Sequence, residues 1–137
     1  MAKRSFLYNP IKIEVNSIHE DNADMFISNI PSIEGLVFKR FFIIDTDRNT
    51  VRGKHAHKKC WQLLFNIEGE IDLKYINQEK SGELILRKGG EGFLFPPMNW
   101  LEINMHAHSR LLVLASDLYE ESDYIRDFKD FENRIFG

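Results

Sequence analysis

The sequence predicts an all-β domain built from two antiparallel sheets and closed by a short C-terminal helix. Between Leu36 and Ser116, apolar segments rich in Phe, Ile, Leu and Val recur at intervals of about 8 to 12 residues, each too short for a typical helix. Turn-forming pairs lie among them: Glu68-Gly69 and Ser81-Gly82 as tight hairpins, Gly89-Gly90 and Pro96-Pro97 as breaks in regular pairing. Only from Ser122 onward does the spacing change, with Ile125, Phe128, Phe131 and Ile135 three or four residues apart, the period of a helical face.

Taken in order, the expected strands are Leu36 to Asp45, Val51 to His57, Gln62 to Ile67, Glu70 to Ile76, Glu83 to Arg87, Gly92 to Phe95, Trp100 to Met105 and Arg110 to Ala115. Ser122 or Asp127 is available to cap the C-terminal helix. Consecutive aromatics such as Phe41-Phe42 require cover on both faces of one strand, from a second subunit or from the two sheets and the helix together. No linker, repeat or low-complexity segment divides the chain, so residues 1–137 are expected to form one domain.

Composition narrows the class. A hydrophobic share of 43% and a charged share of 28% exclude a disordered chain, and one cysteine, Cys60, excludes an intramolecular disulfide. The net charge of -3 argues against a general nucleic-acid binder, which must neutralise phosphates. No apolar run reaches the roughly 18 to 20 residues needed to cross a bilayer. Met1 to Pro10 lacks the apolar core of roughly 7 to 15 residues found in secretory leaders. A cytoplasmic protein, without membrane or nucleic-acid partners, is expected.

The chemistry concentrates in one strand. His55 and His57, separated by one residue, project from the same face, with Gly53 leaving room beside them. Two imidazoles side by side are costly to bury and point to a polar pocket. Arg52, Lys54, Lys58 and Lys59 surround them, with Lys39-Arg40 in the preceding strand, which suits an anionic ligand. Arg40 and Arg52 are the stronger candidates, because a guanidinium can grip phosphate or an enolate oxygen through two bonds. His106 and His108 are expected in an exposed hairpin, and His19 has no evident role. Cys60 lacks a visible base for nucleophilic work, and Glu120, Glu121 and Asp123 read as a solvated helix start.

The spacing Gly53, His55-x-His57, Gln62, Gly69, then Gly90 and Pro96 resembles the two-part cupin signature. Cupins normally place a glutamate where this chain has Gln62 and a third histidine where it has Leu101. A neutral amide and an aliphatic side chain are poor replacements for metal ligands, so acid/base chemistry by the histidines without a metal is expected.

More specifically, Arg52-Gly-Lys-His-Ala-His-Lys-Lys59, Gln62-Leu-Leu64, Phe95-Pro-Pro-Met-x-Trp100, Leu112-Val-Leu-Ala-Ser-Asp117 and Asp123-Tyr-Ile-Arg-Asp127 together resemble the FdtA/QdtA, or WxcM-like, sugar 3,4-ketoisomerases. The resemblance covers roughly residues 36 to 131. It implies a cupin (RmlC-like) double-stranded β-helix, or jelly roll, in a homodimer whose N-terminal strands contribute to the interface. The implied substrate is dTDP-4-keto-6-deoxy-D-glucose, isomerised without metal or cofactor to a 3-keto sugar of galactose or glucose configuration during biosynthesis of unusual deoxyamino sugars. It implies that His57 is the base with His55 beside it, and the substrate-binding candidates are Arg52, Arg40, Lys59, Gln62 and Leu101. Relatives often carry a polar or basic residue where Leu101 stands. The residues alone leave open a sugar-nucleotide epimerase, a non-catalytic sugar-nucleotide binding module and a metal cupin oxygenase.

Overall fold

Three strands that no sequence pattern announced precede the eight that one did: β1 (Ile11–Ile13), β2 (Asn16–Glu20) and β3 (Ala23–Ile27). The expected series follows, its first strand beginning at Arg40 rather than Leu36: β4 (Arg40–Asp45), β5 (Thr50–His57), β6 (Gln62–Glu68), β7 (Ile71–Ile76), β8 (Ser81–Leu86), β9 (Gly92–Phe95), β10 (Trp100–Met105) and β11 (Arg110–Ala115). A short strand, β12 (Tyr124–Ile125), and a helix, α1 (Phe128–Phe136), complete the chain in this computed structural model, which describes residues 8–136. Most of the N-terminal stretch read above for a leader, residues 1–7, lies outside the described residues.

Two five-stranded antiparallel sheets face each other, one in the order β1-β9-β6-β11-β4 and the other β12-β5-β10-β7-β8. Alternation explains why they pack. In β7, Ile71, Leu73 and Tyr75 are buried while Asp72, Lys74 and Ile76 are less so, and β10 buries Leu101, Ile103 and Met105 in the same rhythm. These residues meet Leu64, Phe93, Phe95, Leu111 and Val113 from the opposite sheet. Each such side chain contributes about 1.5–3 kcal/mol when fully buried. The Phe41-Phe42 pair divides as strand geometry requires, Phe42 packing inward and Phe41 lying 66% exposed on the outer face.

Three expectations need correction. Ser81-Gly82 is not a turn: the hairpin closes at Asn77, whose N–H donates to the Lys80 carbonyl and whose side-chain oxygen accepts from the Glu79 and Lys80 amides. Gly82 lies within β8 because Tyr75 covers it, and a Cβ there would lie 2.6 Å from the Tyr75 hydroxyl and 2.7 Å from its ring. Ile125 belongs to β12 rather than to the helix, although it packs with the helix's Phe131 and Ile135 against Ala56 and Trp100. Of the two cap candidates, Asp127 is the one used, its Oδ1 accepting the Lys129 N–H at 3.2 Å, while Ser122 lies in a 3-10 turn from Glu121 to Asp123. No described helix is long and apolar enough to cross a membrane.

Candidate active site

A cavity of about 370 Å3 opens between the two sheets. Phe42, Ile44, Leu64 and Val113 line it from one sheet, and Arg52, His55, Leu101 and Ile103 from the other, with Gln62, Tyr124 and Arg126 adding polar groups. That volume suits a small-molecule site, which ordinarily spans about 300–1,000 Å3.

The β5–β10 ladder slips beside the cavity. Leu101 pairs with His55 and Glu102 with Gly53, so Lys54 is the extra residue of a bulge. Gly53 (φ +88°) and Lys54 (φ +58°) both adopt left-handed backbone. Glycine is required at the first position, where a Cβ would lie 2.8 Å from the Leu101 carbonyl oxygen. The turned carbonyl of Gly53 then accepts the His55 Nδ1–H at 3.0 Å, which leaves Nε2 of His55 as its free basic nitrogen.

His57 lies one layer behind the cavity wall, only 4% exposed, with its ring centroid 5.1 Å from His55 and 4.4 Å from Tyr124. Its Nδ1–H donates to Asp123 Oδ2 at 2.8 Å, and the other oxygen of that carboxylate accepts the Lys59 backbone N–H at 2.7 Å. A carboxylate in this position can only accept, so the proton is fixed on Nδ1 and Nε2 is the lone-pair nitrogen. Nε2 is buried with no hydrogen-bond partner among the described residues. The His55 and Tyr124 rings pack against the His57 ring and line the cavity.

Burial holds His57 below the ordinary value of 6.5; Asp123 opposes that fall, and the charges of Arg40 and Arg126 add to it. Burial, together with the neighbouring His57, pushes His55 down to about 4. Both imidazoles are therefore neutral at pH 7, each with its lone pair on Nε2.

Asp123 is the residue that sequence reading missed. Its place beside Glu120 and Glu121 suggested a solvated helix start, yet it is 5% exposed and oriented by the turn that precedes β12. Two residues apart on that turn, Glu121 and Asp123 part company, one reaching solvent and the other buried against His57. Tyr124 and Arg126 were also not singled out, and both line the cavity.

Of the sequence candidates, His55, Arg52, Gln62 and Leu101 meet at the cavity. Arg40 does not line it; its Nε–H donates to the Asp117 carbonyl, and its guanidinium lies 5.7 Å from the Phe42 ring and 5.9 Å from the Tyr119 ring. Lys59 is separate: its ammonium pairs with Glu120 at 3.3 Å, and only its backbone N–H serves the site, through Asp123. His19 is exposed and pairs with Asp24, and His106, in the turn between β10 and β11, lies beside Glu70 and Asp72. Cys60 is buried with its thiol toward the Trp61 carbonyl, and its sulfur lies within 4.8 Å of side-chain ligand atoms of His57 and Asp123. A cupin metal does not fit this donor set: Leu101 fills the third-imidazole position beside His55 with carbon, and Gln62 supplies a neutral amide.

Two facing five-stranded antiparallel sheets with the polar groups housed between them define a cupin-type domain. More narrowly, the chain belongs to the family described as FdtA, WxcM-like, C-terminal, whose model matches residues 12–135. A curated relative, the TDP-4-oxo-6-deoxy-alpha-D-glucose-3,4-oxoisomerase of Aneurinibacillus thermoaerophilus, is 36% identical over 98 residues, which cover 69% of each chain. Among solved structures, a 3,4-ketoisomerase from Helicobacter canadensis superposes with a TM-score of 0.80 at 25% identity, covering 93% of this chain and 98% of that one. QdtA, a sugar 3,4-ketoisomerase from Thermoanaerobacterium thermosaccharolyticum in complex with TDP, gives a TM-score of 0.79 at 27% identity, covering 94% and 96% respectively.

Proposed function

We propose that this protein is a cytoplasmic dTDP-sugar 3,4-ketoisomerase acting on dTDP-4-keto-6-deoxy-D-glucose, with His57 as the base. The observation that carries this reading is the buried Asp123–His57 pair, which fixes the proton on Nδ1 and leaves a neutral Nε2 next to a second neutral imidazole. The 4-ketone acidifies the C3 proton. His57 removes it, giving an enediolate across C3 and C4; C4 then takes a proton, O4 gains one as O3 loses one, and the carbonyl is left at C3. Leu101 has nothing to transfer, so the proton that reaches C4 comes from an imidazole or from water. Such a 3-keto product belongs to the making of unusual deoxyamino sugars.

NMR of the substrate incubated with the protein in D2O tests this. The expected outcome is a 3-keto product with deuterium at C4, whose configuration the same spectra read directly. A ketone that stays at C4 with deuterium elsewhere on the ring would favour epimerisation, and binding without exchange a non-catalytic module.

We also read the protein as a homodimer. Phe41 and Ile43 stand exposed on the outer face of β4, and Met25 and Phe26 on the β2–β3 hairpin, an apolar surface a second copy would cover. Size-exclusion chromatography with light scattering is expected to give twice the chain mass; a monomer would contradict the reading.

A further inference from the structure

Arg126 is gripped on one edge and open on the other. Its Nε–H donates to Glu121 Oε1 at 2.6 Å and its Nη2 to Glu121 Oε2 at 3.0 Å, a side-on pairing of guanidinium and carboxylate. Glu121 is itself held by the Tyr119 hydroxyl, which donates to Oε2 at 2.6 Å, and these partners pull its carboxyl down to about 2. Beneath the guanidinium lies the Tyr124 ring, 4.3 Å from its carbon to the ring centroid. Three constraints thus fix the orientation of a side chain that is still 52% exposed.

A guanidinium has five N–H groups arranged on two usable edges. Glu121 occupies the edge formed by Nε and Nη2. The remaining edge, Nη1 with the second hydrogen of Nη2, has no protein partner among the described residues, and Arg126 belongs to the wall of the cavity that holds His55. Its position next to Tyr124 brings it close to the reacting groups, since the Tyr124 ring centroid lies 4.9 Å from His55 and 4.4 Å from His57. The other two arginines considered are placed differently. Arg40 does not line the cavity, and Arg52 lines it from the Ile103 end of β5, away from His57.

Resting on the ketoisomerase reading, we propose that Arg126, oriented by Glu121, binds the enediolate oxygen through its free guanidinium edge. A fixed cation poised where charge develops acts in the transition state and costs no reorganisation when the proton leaves C3. Glu121 is then a positioning residue: it holds the guanidinium plane but does not touch the sugar. The single carboxylate leaves the free edge positively charged enough to take a second oxyanion, as arginines bridging two acidic groups do.

The test compares wild type, Arg126→Met, Arg126→Lys and Glu121→Gln for kcat on dTDP-4-keto-6-deoxyglucose and for the Kd of dTDP, with thermal melting as the check of folding. Arg126 is at the surface, so its variants are expected to melt as wild type does. Arg126→Met is expected to lower kcat on the order of 10^2-fold, the cost of removing one donor to a developing oxyanion, with dTDP affinity unchanged. Arg126→Lys keeps the charge but loses the fork and is expected to recover only part of that rate. Glu121→Gln is expected to lower kcat by roughly 10-fold, again with unchanged dTDP binding. Weakened dTDP binding at preserved kcat would place Arg126 on the diphosphate and overturn the proposal, as would an Arg126→Met protein as active as wild type. An active wild type alongside either result leaves the ketoisomerase reading standing, whereas a wild type that forms no 3-keto sugar removes both.

Discussion

Replacing His57 by Asn is expected to abolish turnover, with a loss on the order of 10^3-fold or more in kcat, while dTDP still binds. The asparagine amide can donate to Asp123 Oδ2 much as Nδ1–H does, so the buried carboxylate keeps a partner and the fold is preserved. What disappears is Nε2, and an amide has no nitrogen that accepts a proton at neutral pH. Loss of C3 exchange in D2O, measured beside unchanged dTDP affinity by calorimetry, checks the assignment; an active variant would transfer the role to His55. The pH profile carries the same prediction. Because burial lowers His57, its basic form persists below 6.5, so kcat/KM is expected to stay level through neutral pH and to fall only on the acid side of 6.5. Stability follows in the same direction: an unfolded His55 takes a proton near 6.5 but the folded one only at about 4, so the unfolded state binds more protons between those values and stability declines as pH drops through that window.

Asp123→Asn is expected to cost almost as much as loss of the base itself, on the order of 10^3 to 10^4-fold in kcat, with little change in dTDP affinity. The reason is the Lys59 backbone N–H, which points at Oδ1 and cannot turn away. An asparagine must keep its carbonyl oxygen on that donor, which puts its NH2 group against His57 Nδ1. Two donors cannot face each other, so Nδ1 becomes the acceptor and the imidazole proton moves to Nε2. The base is then present, correctly placed and in the wrong tautomer. NMR of the His57 ring nitrogens would report the exchange directly, and a variant with wild-type rate would show that Asp123 serves only packing.

Much of this was legible in the sequence, and what was not has identifiable causes. The eight central strands were readable because period-2 burial and turn residues agree, as in β7 with Gly69 (φ +84°) before it. β2 and β3 were not, because all ten of their residues are exposed and leave no alternation to detect. The histidine pair was readable because both residues sit on one strand. Its carboxylate partner was not, since Asp123 lies 66 residues further along the chain, and acidic residues before a helix are ordinarily solvated. Gly82 misled because glycine in a hairpin region usually marks the turn, whereas here it makes room for an aromatic ring on the next strand.

The bulge at Lys54 decides what the cavity can contain. On an unbroken strand, residues an odd number apart point to opposite faces, so Arg52 and His55 could never look the same way. Yet Arg52 is paired with Ile103 and His55 with Leu101, two positions that share one face of β10. The surplus residue changes the parity of β5 midway along its length, and cation and imidazole come to line the same cavity. Deleting Lys54 would remove no functional group, but it would restore the simple count and leave the strand able to offer the cavity either Arg52 or His55, not both.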